Sequence, residues 1–200
     1  MRAHDPLRTP TGVNFFSIEI DTKRFGLLHE LVPKAARTAV LVNPANAAST
    51  ESTLKEVGNA ARALGLETFV VRASTPAEID AVFAAFARER ADALYIAADG
   101  FFAGRAVQLA TLAARERIPA SFVGREMVEA GLLMSYGTSI GDMYRQVGIY
   151  TGSILKGAKP TDLPVIQSTK FEFVINPQTA RLLGLDVPPM LLARADEVIE

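Results

Sequence analysis

The 200-residue chain contains no cysteine, which excludes disulfides, thiolate metal sites and a cysteine nucleophile. Histidine is nearly absent too. His4 lies in an irregular N-terminal stretch and His29 inside the first expected helix, so no pair has metal-ligand spacing. Neither sign of charge is in excess: 21 Lys plus Arg stand against 22 Asp plus Glu, scattered along the chain. That distribution lacks the basic footprint that nucleic acid or an anionic membrane requires. No run approaches the roughly 20 apolar residues of a membrane span. The opening MRAHDPLRTPTG has no apolar stretch of a secretory signal, so the chain is expected to stay in the cytoplasm if it is complete as written, and the composition leaves periplasm and cytoplasm both open. Phosphate-binding glycine motifs are missing as well, since Gly100-Phe101-Phe102-Ala103-Gly104 matches neither G-x-G-x-x-G nor a Walker loop. Met134-Ser135-Tyr136-Gly137 has Leu133 where a nucleophile elbow needs its first glycine, and no histidine follows it, which excludes a serine hydrolase. The first strand ends in Asn43 instead of the carboxylate cluster of a phospho-receiver. No general base or nucleophile is left to support an enzyme, and no cofactor is expected.

What is present is a regular alternation of strands and helices. Apolar residues make up 49% of the chain and charged residues 22%, as in ordinary globular domains. Asp21 is expected to cap an amphipathic surface helix with Phe25, Leu28 and Val32 on one face, stopped by Pro33. The continuous apolar run Thr38 to Val42 reads as a strand covered on both faces. A helix follows it from Ser49 or Thr50 as cap, with Leu54, Val57, Ala61 and Leu64 at helical spacing and Gly65 as a left-handed C-terminal cap. Thr68 to Val71 is the next strand, and Thr75-Pro76-Ala77-Glu78 is a capping box leading Ile79, Val82, Phe83 and Phe86. A third unit pairs Ala93 to Ala97 with a helix over roughly 103–115, and a fourth strand lies near Ser121 to Val123. Three crossovers thus join four parallel strands into a doubly wound α/β sheet.

After about Arg125 the rhythm changes. A short helix at Glu126 to Glu129 precedes a strand at Leu132 to Tyr136, and a long helix follows from Ser139 to Lys156, closed by Gly157. A proline-rich connector, a strand at Phe171 to Ile175 and a last short helix opened by Asn176-Pro177 complete the reading. Two such strands cannot form an independent sheet, so this region is expected to be incomplete on its own.

In an open parallel sheet, ligands sit outside the carboxyl ends of the strands. Those ends are NPANAAS (43–49), residues 73–75, ADGFF (98–102) and GRE (124–126). Ser49 and Thr50 have two readings, a helix cap or a hydroxyl at a helix N-terminus that receives a carboxylate. Asn43 is expected to brace its own turn. Asp99 beside Phe101 and Phe102 is an acid suited to an ammonium next to aromatic walls. Arg125 pairs either a ligand carboxylate or a neighbouring Glu126 or Asp99.

Five pieces occur in order: TGVNFFS, HELVPKAARTAVLVNPANAAS, ADALYIAADGFF, RIPASFVGREMVEAGLLMSYG and ILKGAKPTDLPVIQSTKFEFVINPQTARLLGL. Together they span Thr11 to Leu185 and resemble the ABC-transporter substrate-binding proteins of the type I periplasmic-binding fold, in the branch related to aromatic amino-acid binders. The resemblance implies two α/β lobes closing over a small molecule. By it, residues 1–17 would be an N-terminal segment and first crossing, 18–130 the C-terminal-lobe-like domain, and 131–200 the return to an incomplete N-terminal lobe. The NPANAAS loop matches the segment that holds the ligand's carboxylate, ADGFF the segment whose acid faces its amino group, and SYG a hinge segment lining the cleft. Asn46, Ser49, Thr50, Asp99, Phe101, Phe102, Arg125 and Tyr136 are therefore the candidate ligand contacts. The resemblance implies a periplasmic location and, as partners, an amino-acid-like small molecule and, for a full-length form, an ABC transporter permease. Strands 132–136 and 171–175 resemble strands of the other lobe's sheet, and a homodimer through residues 132–185 is expected to cover their edges.

Overall fold

A computed structural model of the chain describes residues 11–14, 18–167 and 170–199. Residues 1–10, 15–17, 168, 169 and 200, which include His4 and part of the expected first crossing, lie outside the described residues. In chain order the elements are β1 Gly12–Asn14, α1 Ile18–Leu31, β2 Arg37–Val42, α2 Ala47–Leu64, β3 Glu67–Arg72, α3 Pro76–Glu89 and β4 Ala93–Ile96. There follow α4 Gly100–Ala103, α5 Ala106–Glu116, β5 Ala120–Phe122, α6 Arg125–Glu129, β6 Met134–Thr138 and α7 Ile140–Leu155. The chain ends with β7 Val165–Gln167, β8 Phe171–Ile175, α8 Pro177–Leu182, α9 Pro189–Arg194 and β9 Glu197–Val198. They fall into two compact units, Ser17–Gly137 with Glu172–Glu200, and Thr138–Phe171 with Met1–Phe16.

The larger unit is built on a seven-stranded sheet of order β3-β2-β4-β5-β6-β8-β9. The pairs β2–β3, β2–β4, β4–β5 and β5–β6 are parallel, as the alternation of strand and helix predicts. Strand β8 runs against β6, since the Ser139 N–H donates to Lys170 O beyond one end and the Asn176 N–H to Leu133 O at the other. Period-two alternation along the central strands divides the core between two faces. Ala39, Leu41, Leu94 and Ile96 meet Ile79, Phe83, Phe86 and Leu109 on one face. Val40, Val42, Tyr95 and Ala97 meet Phe25, Leu28 and Val57 on the other. Local signals end the helices where they are expected to: Gly65 closes α2 at φ 68°, and the Thr75–Glu78 capping box opens α3. At the end of β6, Gly137 packs so closely on β5's outgoing chain that a Cβ would stand 2.1 Å from Val123 O.

Several expectations are corrected. Strands 132–136 and 171–175 do not lie in another lobe's sheet; as β6 and β8 they extend the seven-stranded sheet beside β5. The reason is burial on both faces: Leu132 joins one core cluster, while Leu133, Met134, Phe173 and Ile175 join the other. The larger unit accordingly keeps residues 131–137 and 172–200, which the sequence reading assigns to the return segment. Asp21 is not a cap, because α1 starts at Ile18 and holds Asp21 in its interior. The helix is otherwise amphipathic as expected, with Phe25, Leu28 and Val32 buried together with Arg24, Leu27 and Leu31, and Thr22, Lys23 and Glu30 exposed. The helix expected over 103–115 is split into α4 and α5 at Gly104 and Arg105. Beyond the helix read as the last one come α9 and β9, the latter parallel to β8.

In the smaller unit, β1 and β7 form a two-stranded parallel sheet in the register Gly12↔Val165 to Asn14↔Gln167. Helix α7 packs near β1, and its Tyr150 hydroxyl donates to Pro164 O at 2.8 Å. None of the residues of α7 is buried.

Candidate ligand-binding site

Arg125 follows β5 and Tyr136 lies on β6, while the candidates of the first and third loops meet on the larger unit at the carboxyl ends of β2 and β4. Their centre is Asp99. Its Oδ1 accepts the Asn43 amide at 3.0 Å and the Phe101 N–H at 2.9 Å, and its Oδ2 accepts the Asn46 amide at 2.9 Å. Partial burial works to raise this carboxyl, but the hydrogen bonds from Asn43, Asn46 and Phe101 outweigh it and hold it below its ordinary value. One acid thus caps α4 and ties the first loop to the third. Asn43 does brace its own turn, accepting the Ala45 N–H on Oδ1 at 3.0 Å, and its amide is free for Asp99 only because of that orientation.

Helix α2 begins earlier than expected, at Ala47, with Asn46 in the N-cap position and no side-chain cap bond. Ser49 and Thr50 are therefore not caps. The Ser49 hydroxyl donates to Ala98 O at 3.3 Å and the Thr50 hydroxyl to Asn43 O at 2.8 Å. With Asn46 turned toward Asp99, the first-turn N–H groups of α2 have neither an intrahelical acceptor nor a capping side chain, beside exposed Ala47 and Ala48. A helix end in this state favours an anion.

The two phenylalanines part company. Phe101 is half-buried at the rim, with the Arg105 guanidinium carbon 5.8 Å from its ring centroid. Phe102 is fully buried in the core and offers no surface there. Arg125 pairs with neither Glu126 nor Asp99. Its Nε donates to Glu129 at 2.9 Å, its Nη1 and Nη2 reach Glu197 at 2.8 and 2.9 Å, and Nη1 stands 3.6 Å from Glu172. The Glu129 and Glu197 bonds raise its proton affinity further. Three carboxylates thus already occupy this guanidinium. Tyr136, on β6, is half-buried and sets its ring edge-on to Phe173 at 6.4 Å; burial, then Asp196, push its hydroxyl pKa up.

The sequence reading missed the hydrogen bonding of Asn43 to Asp99 and a buried polar group beneath the rim, formed by Asp21, Arg24, Thr53 and Tyr95. A signal existed for the latter: Asp21 and Arg24 share the 3–4 spacing of Phe25 and Leu28, and Tyr95 interrupts an otherwise aliphatic strand. Among the described residues no group of three or more acidic or imidazole side chains could hold a metal ion, and no helix is long and apolar enough to cross a membrane.

Known structures share this architecture. The chain superposes with a TM-score of 0.80 on a Streptococcus pneumonia ABC domain solved in complex with L-Trp, at 24% identity, over 94% of this chain and 64% of that one. A conserved domain protein from Vibrio cholerae gives a TM-score of 0.80 at 26% identity, over 94% of this chain and 62% of that one. The ligand-free, open form of a substrate-binding protein with adhesive properties from Clostridium difficile gives 0.67 at 21% identity, over 95% and 62%. The chain therefore spans less than two thirds of the length of each. None of the curated proteins matches it in sequence. Residues 3–199 match the family described as ABC transporter substrate binding protein, and the chain belongs to that family.

Proposed function

We propose that this chain is a non-enzymatic solute-binding component of an ABC importer that takes a small zwitterion, such as an amino acid, and presents it to a membrane permease from the periplasmic side. The observation that carries the reading is the uncapped N-terminus of an 18-residue helix, α2, beside the Asp99 carboxylate. The ligand's carboxylate would take the N–H groups of Ala47, Ala48 and Ser49, because the Ser49 and Thr50 hydroxyl protons already serve backbone carbonyls. Its ammonium would take the remaining acceptor capacity of Asp99 Oδ2, which receives one hydrogen bond from Asn46. Phe101 would supply apolar contact, and Tyr136 would line the same rim. Arg125 and Phe102 fall out of the contact set, the first held by Glu129 and Glu197 and the second buried. The L-Trp complex of the Streptococcus pneumonia protein supports an amino acid as the first ligand class to try.

The test is a thermal-shift panel of phenylalanine, tyrosine, tryptophan and leucine, followed by calorimetric titration of whichever shifts the transition. A ligand at 100 times its Kd stabilises the fold by about 2.7 kcal/mol, or roughly 5–10 °C at this length. The expected result is a shift with one of these amino acids that disappears in Asp99→Ala. No shift with any amino acid overturns the reading.

A second reading, a dimeric sensing or interaction module joined through residues 132–185, loses the strand edges that motivated it, since β6 and β8 are paired. It retains α7, where Tyr144 is 71% and Leu155 82% exposed. Light scattering at micromolar concentration decides it: a dimer that Leu155→Lys with Tyr144→Lys converts to monomer favours it, and a wild-type monomer ends it.

A further inference from the structure

Directly below the rim lies the polar group that the binding reading leaves unused. Asp21 and Arg24 of α1, Thr53 of α2 and Tyr95 of β4 are each at most 2% exposed. Asp21 accepts the Thr53 hydroxyl on Oδ2 at 3.0 Å and the Tyr95 hydroxyl on Oδ1 at 2.6 Å. Arg24 Nη2 donates to Asp21 Oδ1 and to Ile96 O, both at 3.2 Å, and contacts the Tyr95 hydroxyl. Its Nε and Nη1 are buried without a hydrogen-bond partner, and the guanidinium carbon lies over the Tyr95 ring, 4.3 Å from the centroid.

Such a group is a poor way to stabilise a core. A buried ion pair roughly breaks even against well-packed apolar side chains, and each unpaired buried donor tips the balance further against it. What directional bonds do supply is fixed geometry. Thr53 stands in α2, the helix whose N-terminus is the proposed anion site. Ile96 ends β4, three residues before Asp99. Thr53 is bonded to Asp21 and Ile96 O to Arg24, and these two side chains of α1 are bonded to each other. Burial of apolar surface is non-directional, whereas these hydrogen bonds fix one register of α2 against β4.

We propose that Asp21, Arg24, Thr53 and Tyr95 are positioning residues that hold the α2 N-terminus and the Asp99 turn at the separation a zwitterion needs. The proposal rests on the reading of the rim as a zwitterion site. Its test compares the 200-residue wild-type chain with Asp21→Leu/Arg24→Met/Thr53→Val/Tyr95→Phe. Three readouts are taken: the urea midpoint, the Kd for L-tryptophan or whichever panel amino acid binds, and amide exchange at Phe101, whose N–H donates to Asp99. Expected are a midpoint equal to or above wild type, binding at least tenfold weaker, and Phe101 exchange at least tenfold faster with the β2 and β4 amides unchanged. A folded variant with wild-type affinity and wild-type Phe101 exchange overturns the proposal. A variant that does not fold is replaced by Tyr95→Phe, which removes one hydroxyl and is expected to weaken binding and speed Phe101 exchange about threefold; no change in either overturns it equally. Should wild type bind no amino acid, the site reading fails by itself, and Phe101 exchange alone decides the positioning role.

Discussion

Asp99 carries a carboxyl held below its ordinary pKa by amides on two loops, with burial opposing them. Because the folded value lies below the unfolded one, its contribution to stability is present above about pH 4 and is lost as pH falls through the lowered value. Urea unfolding followed from pH 7 to pH 3 should therefore show a shallower acid decline in Asp99→Asn than in wild type. An identical decline would mean that the loop amides do not discriminate the charged form. The neighbouring phenylalanines differ only in which way the helix start turns them. Phe102→Ala, in the core, should destabilise by about 3–5 kcal/mol, and half-buried Phe101→Ala by clearly less, read from the same unfolding curves. Equal losses would contradict the placement of the two rings. That one of two adjacent Phe must leave the sheet was legible in the sequence. Which one was not, because the choice depends on where α4 starts, and Asp99 sets that by capping it.

At the scale of elements, local chemistry and close approach act separately. The Glu78 carboxylate accepts N–H groups of Ser74 and Thr75, and the Ser74 backbone bond is the main cause of its lowered pKa. Thr75→Ala removes the reciprocal bond to the Glu78 N–H and should cost about 1 kcal/mol in thermal unfolding; no change would show that Glu78 alone starts α3. This box is a short-range pattern, so it could be read directly from four letters. Gly137 is the opposite case. Its need for glycine comes from Val123 O, fourteen residues away in sequence, at 2.1 Å from a Cβ. Gly137→Ala is expected to destabilise by about 1–3 kcal/mol or to push β6 off β5, seen as faster exchange of β6 amides; a neutral effect would mean the crossing yields easily. The early start of α2 belongs here too. Ser49 and Thr50 are good caps by composition, but Asn46 takes the N-cap position three residues sooner, and its amide turns to a carboxylate on another loop.

Across the whole molecule, the larger unit places a doubly wound core on both faces of its sheet, while α7 in the smaller unit keeps no buried residue. The light-scattering outcome stated for α7 is thus a question about apolar area that this unit leaves uncovered. Five ordered segments of the amino-acid sequence carry the resemblance to the family, and the sequence by itself determined the parallel α/β class and the spans of the main strands and helices. The class and the spans follow from hydrophobic period, caps and turn residues, all of which act within a few residues of the chain. Only the tertiary structure decided that β6 and β8 join the large sheet, that Arg125 is held by Glu129 and Glu197, and that Asp21, Arg24, Thr53 and Tyr95 meet in the core. Each of these depends on partners far apart in sequence. A strand's apolar run states that it will be buried but not beside which neighbour, and a charged side chain in a sequence states its charge but not which opposite charge will reach it first.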